Sequence, residues 1–314
     1  MCAEAKKQRL RSRINLKPTV LWSIHESASR MLSRHAAQRI VLCAMDFELL
    51  AMRSLPFAIK FAERHAGKLY LGHVCEQLPY LWTRATLVNR VAEQQREQAA
   101  FSLNQVTAAL RADGHNCEAL LADGNPAEKL AELVRIHNID LVVAGASSRS
   151  TIGKFFVGSV VEELIRNGPC PVLSIGSHLV TEADTGFGNI ICAIDFSAAS
   201  LRAVEMACAM AVDWQANLTL LHVTEEPSEH ARQLQTNRIR DLVPAHMDLP
   251  NEPQVLVEVG PVANCILNPP TACPPDLIVI GAKGGGAFAE TASRFGSIVG
   301  SLRRHLISGA MPTS

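Results

Sequence analysis

The stretch Arg39–Phe47, RIVLCAMDF, returns as Asn189–Phe196, NIICAIDF, and this repeat limits the possible folds of the chain more than any other feature. Asp46 and Asp195 lie 149 positions apart. The same offset carries Lys68–Val74 (KLYLGHV) onto Asn217–Val223 (NLTLLHV), and Ala58 and Ala62 onto Ala207 and Ala211. Three matches at one offset indicate a duplicated unit. The organisation expected is a first domain over 39–178, a second over 189–314 and an extension over 1–38, with residues 176–188 as linker. At 48% hydrophobic and 19% charged, the 314 residues hold enough apolar material for two cores.

Each copy alternates short β-branched apolar runs with longer segments of helical period, the pattern of parallel strands joined by crossover helices. In the first copy the runs predict strands near 39–45, 68–74, 117–122, 140–145 and 171–175, and helices near 50–66, 84–112, 126–137 and 158–167. Gly124-Asn125-Pro126 marks a helix start, with proline where its missing N–H costs nothing. Strands apolar on both faces need helices on both sides. The fold class expected is therefore α/β: two tandem doubly wound open parallel sheets, strand order 3-2-1-4-5. The second copy is expected to lack a fifth strand, because Gly309–Pro312 parallels Gly168–Pro171 and the sequence then stops at Ser314. Its fourth strand would have an uncovered edge unless another segment or another chain pairs with it.

The formal net charge of zero conceals an asymmetry. Residues 1–38 carry eight Lys/Arg against Glu4 and Glu26, so they hold +6 and the remainder −6. Such an arm can attract nucleic acid or an anionic membrane, but the simpler expectation is a solvated tail, with nucleic acid not a partner. Ser23 followed by Glu26 reads as the cap of a short helix carrying Met31 and Leu32. With no apolar run of spanning length and no secretory leader pattern, the expectation is a cytoplasmic protein without membrane insertion. The nine cysteines contain no C-x-x-C pair and read as small buried hydrophobes.

The candidate site follows the fourth strand of the first copy. Ile139–Gly145 leads through a loop of small residues, containing Arg149 and Lys154, to Gly158-Ser159-Val160 and a helix. Glycine lets backbone approach a phosphate, and a helix amino terminus offers unpaired N–H groups and partial positive charge. In an open parallel sheet the ligand lies beyond the carboxyl ends of the strands, which places Asp46 opposite this loop. Asp46 and Asp195 have a competing reading as helix caps, and His73 and His222, at strand ends, as structural histidines.

Gly145-x2-Ser148-x9-Gly158-Ser159, together with the C-A-x-D-F strands and the His-Val strand ends, resembles the universal stress protein pattern in both halves. The resemblance implies a five-stranded parallel sheet, association as a homodimer with a protein partner still to be identified, and in one branch of the family ATP, with or without Mg²⁺. Carried over, it assigns Asp46 and Val74 to the adenosine end, and Gly145, Ser148, Gly158, Ser159 and Val160 to ribose and phosphates. In the second copy the matching positions are Asp195, Val223, Gly281, Gly284, Gly296 and Ser297. Both copies depart from the pattern. Ser148 stands where the family has glycine, and residues 285–295 separate Gly284 from Gly296 by eleven residues rather than nine.

Three functions are expected to compete. The first is a regulatory protein whose adenine-nucleotide occupancy in the first domain alters its associations. The second is a nucleotide-free scaffold, and the third a nucleotide-dependent transferase sharing the superfold. Catalysis has little support, because no Walker A run, zinc-spaced Cys/His set or nucleophile elbow occurs.

Overall fold

The computed structural model describes residues 20–24, for which only the backbone is discussed, and 38–47, 49–76, 85–145, 158–176, 186–225 and 228–282. An amino-terminal strand, β1 (Val20–Ile24), precedes the first half. That half runs β2 (Ile40–Ala44), α1 (Leu49–Arg64), β3 (Lys68–Cys75), α2 (Ala85–Ala112), β4 (Cys117–Asp123), α3 (Pro126–Ile136), β5 (Leu141–Gly145), α4 (Ser159–Asn167) and β6 (Val172–Ile175). The second half runs β7 (Asn189–Ile194), α5 (Ala198–Trp214), β8 (Asn217–Thr224), α6 (Glu229–Arg240), β9 (Gln254–Val259), α7 (Val262–Leu267) and β10 (Leu277–Gly281). Every first-half element begins and ends within two residues of its expected position.

The helix starts show why. Asn125 Oδ1 accepts from the N–H groups of Ala127 at 3.0 Å and Glu128 at 3.2 Å, with Pro126 opening α3. In α5 the cap is Ser197, whose Oγ accepts from the Ser200 N–H at 3.2 Å. Asp195 is therefore not the cap of α5. Its Oδ1 accepts from the Ser197 N–H at 2.9 Å, an Asx turn that orders the residues leading into the helix.

The first half has strand order β4-β3-β2-β5-β6 and the second, read from its outer edge, β9-β8-β7-β10, which are 3-2-1-4-5 and 3-2-1-4 in the numbering of each copy, all parallel within each half. The two sheets are not separate. β1 lies between them, antiparallel to β6 with Leu21 opposite Ser174, and parallel to β10 with Leu21 opposite Ile278, making one ten-stranded sheet. Among the described strands no fifth one follows β10, and the edge of β10 is covered by the amino-terminal arm. A solvated tail does not describe Val20–Ile24, and Ser23 is a strand residue opposite Val172 rather than a helix cap. The helix expected around Met31 and Leu32 lies outside the described residues. Because β1 is parallel to one neighbour and antiparallel to the other, the halves point in opposite directions, and their carboxyl-end rims lie on opposite sides of the sheet.

One apolar core crosses the seam, beside two smaller separate clusters. It packs α1 and α2 of the first half with α5 and α6 of the second on the same face of the sheet. Phe187, in the stretch read as linker, is buried between Phe57 (centroids 6.0 Å apart), Phe61 (6.1 Å) and Trp214 (5.0 Å). Beside these rings, Asp213 Oδ2 lies 3.4 Å from Arg39 Nη2 and 3.3 Å from His65 Nε2. Burial pushes the Asp213 carboxyl up, but His65, Arg39 and Arg64 outweigh it and hold it below the ordinary carboxylate value. Most described cysteines behave as small hydrophobes. Cys43 and Cys170 are buried and burial pushes their thiols up to about 12, whereas Cys273 is exposed.

Candidate functional site

Met45 and Asp46 follow the end of β2, and the next residue turns sharply, since Phe47 has φ of +59°. A phenylalanine in the left-handed region is strained unless its surroundings fix it. Here the Phe47 ring lies against His73, centroids 4.8 Å apart, and His73 Nδ1 is 2.6 Å from the Met45 carbonyl. A carbonyl can only accept, so Nδ1 carries the proton and donates it. The second half repeats the device: Phe196 has φ of +59°, its ring is 4.9 Å from His222, and His222 Nδ1 donates to Ile194 O at 2.8 Å. Both histidines serve to fix the turn that holds Asp46 and Asp195 at the carboxyl-end rim.

In the first half this rim opens into a cleft of about 970 Å³, a size suited to a small-molecule ligand. Asp46, Val74, Gly145, Gly158, Ser159 and Val160 all line it, so six of the seven first-half positions expected from the sequence meet around one space. Ser148, Arg149 and Lys154 lie outside the described residues. The wall over the sheet is α4. It begins at Gly158, which is buried and has no side chain with which to cap the helix.

The opposite wall comes from residues that the sequence did not single out. Arg96 on α2 pairs with Asp123 at the end of β4, and Glu93 stands one turn before it. Glu76 and Glu163 complete the charged lining, so carboxylates outnumber Arg96 among the described lining residues. The floor is made by small residues, Ala44, Gly72 and Ala144. A Cβ on Gly72 would lie 2.7 Å from Leu42 Cδ1. A glycine inside a strand was the available sequence signal for this floor. The Arg96–Asp123 pair, 27 residues apart, carried none.

The second half keeps the frame and changes the floor. Asp195 directly follows β7, Val223 lies in β8 and Gly281 ends β10, whereas Gly284, Gly296 and Ser297 lie outside the described residues. Ala193 pairs with Leu221 in the register in which Ala44 pairs with Gly72. Leu221 is buried with Ile191, Ile278, Ile280 and Ile266. Where the first half has Gly72 and Ala144 before its terminal glycine, the second has Leu221 and Ile280. Gly281 itself is required by packing, since a Cβ there would sit 2.4 Å from the Ser200 nitrogen. Burial raises the Asp195 carboxyl, but hydrogen bonds from Ser197 and Ser200 prevail and hold it below its usual range. Asp195 is thus engaged by its own turn.

The sequence profile described as "Universal stress protein family" matches residues 38–175 and again 186–307. A universal stress protein of Thermus aquaticus is 30% identical over 142 residues, 44% of this chain and 98% of its own length. One of Methanocaldococcus jannaschii is 24% identical over 136 residues, 43% of this chain and 80% of its own. Among solved structures, a universal stress protein from Archaeoglobus fulgidus superposes with a TM-score of 0.56 at 20% identity, covering 73% of this chain and 82% of that one. At these identities the solved structure speaks for the fold alone.

Proposed function

The chain belongs to the universal stress protein family, and on that footing we propose that its first half binds an adenine nucleotide, with occupancy regulating the protein's associations. The observation that carries the reading is the convergence, on one cleft, of Asp46, the small floor of Ala44, Gly72 and Ala144, and the start of α4 at Gly158. A carboxylate at the rim accepts from the hydroxyl or amino groups of a nucleoside, the small floor leaves room for a planar base or ribose, and the helix start accepts a phosphate. The carboxylates around the mouth disfavour a bare polyphosphate, so the nucleotide expected is ATP as its Mg²⁺ complex. Val74 and Val160 supply apolar contact, and Ser159 a hydroxyl beside the phosphates.

The reading is a binding and regulatory site, with a homodimer and a cytoplasmic setting as part of the same proposal. Substituting Gly158→Asp places a side chain and a negative charge at the proposed phosphate position, and calorimetric titration with MgATP should then show no binding. A Gly158→Asp protein that binds normally would overturn the assignment.

A nucleotide-free scaffold remains the second reading, favoured by Ser148, where the family pattern has glycine. Mass spectrometry of ligand released from freshly purified protein separates the two. Stoichiometric ATP or AMP supports the first, and a protein that is empty and stays empty on titration supports the second.

A further inference from the structure

Among the described strands, only β1 stands outside the βαβ winding of both halves. It pairs with two edges at once, antiparallel to β6 from Val20 opposite Ile175 to Ser23 opposite Val172, and parallel to β10 from Val20 opposite Leu277 to Ile24 opposite Gly281. Each of those edges would otherwise present a row of unpaired N–H and C=O groups, which is a template for another strand. We propose that the slot between β6 and β10 is a strand-acceptor site, filled here by the chain's own Val20–Ile24 and open to the same strand of a second copy, so that the amino-terminal arm sets the association state.

Three observations support exchange at this place. The halves are joined by more than the occupant: the Phe57, Phe61, Phe187 and Trp214 rings and the Arg39–Asp213 pair link them, and none of these involves β1. α5, which lies across β1, is likewise anchored on β7 and β10. The seam on the β6 side contains a flaw: Ser174, fully buried and opposite Leu21, has a hydroxyl with no hydrogen-bond partner among the described residues. An unmatched buried hydroxyl makes that edge weaker than an apolar one. The third observation is length. Residues 25–39 join β1 to β2, which is three strand positions away in the sheet. Three spacings are about 15 Å, whereas fifteen residues reach up to about 50 Å, so the connection does not confine the strand to its own molecule. The occupant fits by sequence: Val20, Leu21, Trp22 and Ile24 are strand-forming apolar residues, and the same register serves in cis or in trans.

The test uses the full chain with a protease site inserted between Glu26 and Ser27, cut after folding. The arm should remain bound and then be replaced by a labelled peptide of residues 17–27, to one peptide per chain. The Leu21→Pro/Trp22→Pro peptide, which removes two backbone donors, should bind at least tenfold more weakly. In parallel, uncut chains carrying two different fluorophores should form mixed dimers after incubation at high concentration, and the same chains with Leu21→Pro/Trp22→Pro should not. An arm that leaves on cutting with no peptide uptake, an arm that stays and never exchanges, or mixed dimers unaffected by the double substitution would each overturn the proposal.

Discussion

At one position of the sheet the first half carries Gly72 and the second Leu221, each opposite an alanine of the neighbouring strand in the same register. Around that position the first half is open, with Asp46 at the rim, and the second is filled by Leu221, Ile278 and Ile280. The turn that presents the aspartate is the same in both, down to the φ of +59° at Phe47 and Phe196 and the histidine that holds it. A duplicated fold thus keeps the frame of the rim while changing the side chains at its floor. On the proposed reading that floor decides occupancy, and it takes only one or two side chains to change.

The largest expected effect comes from making the first floor like the second. Gly72→Leu should leave the fold intact by circular dichroism, since the nearest obstacle is the movable end of Leu42, and should weaken nucleotide binding more than a hundredfold, about 2.7 kcal/mol. The reverse change, Leu221→Gly, should lower stability by about 2–4 kcal/mol in urea unfolding without creating a second site. If Leu221→Gly gained nucleotide binding, the floor alone would distinguish the halves.

The next effect tests whether the halves stand together. Asp213→Ala removes the partner of Arg39 and His65 at the seam and should cost about 2 kcal/mol at pH 7, with both halves unfolding in one transition. The folded-state pKa of Asp213 is depressed, so its contribution is fully present above the unfolded value of about 3.9 and is lost as pH falls through the lower folded value. Urea titrations from pH 6 down to pH 3 should therefore show a smaller loss of stability in Asp213→Asn than in the natural chain.

Smaller still is the contrast between the two aspartates. Asp46→Ala should weaken nucleotide binding about tenfold, about 1.4 kcal/mol. Asp195→Ala should leave binding unchanged and cost about 1 kcal/mol of stability, through loss of the turn into α5. Smallest is the effect of the metal: removing Mg²⁺ with EDTA should weaken ATP binding about threefold, given the carboxylates that line the cleft.

Much of this was readable from residue order. The 149-residue repeat, the β-branched runs and Asn125-Pro126 located the first-half strands and helices, because local pattern and tertiary burial agree there. Asp46, Gly145 and Gly158 could be placed opposite one another because strand order fixes which loops share a rim. The arm could not be read. Val20–Ile24 is a short apolar run inside a basic segment, and its place in the sheet depends on two edges more than 140 residues later in the chain. Phe187 was hidden for a related reason, since a single aromatic between glycines gives no periodicity, and its burial comes from Phe57, Phe61 and Trp214. The second floor was legible in principle: aligning the copies at their own offset sets Leu221 against Gly72.

The claim that the two halves share a frame but not a site is tested most directly by the stoichiometry of MgATP binding to the intact chain, measured by titration calorimetry. One nucleotide per chain is expected, unchanged in Gly296→Asp. Two per chain, or a single site that survives Gly158→Asp and vanishes in Gly296→Asp, would contradict it.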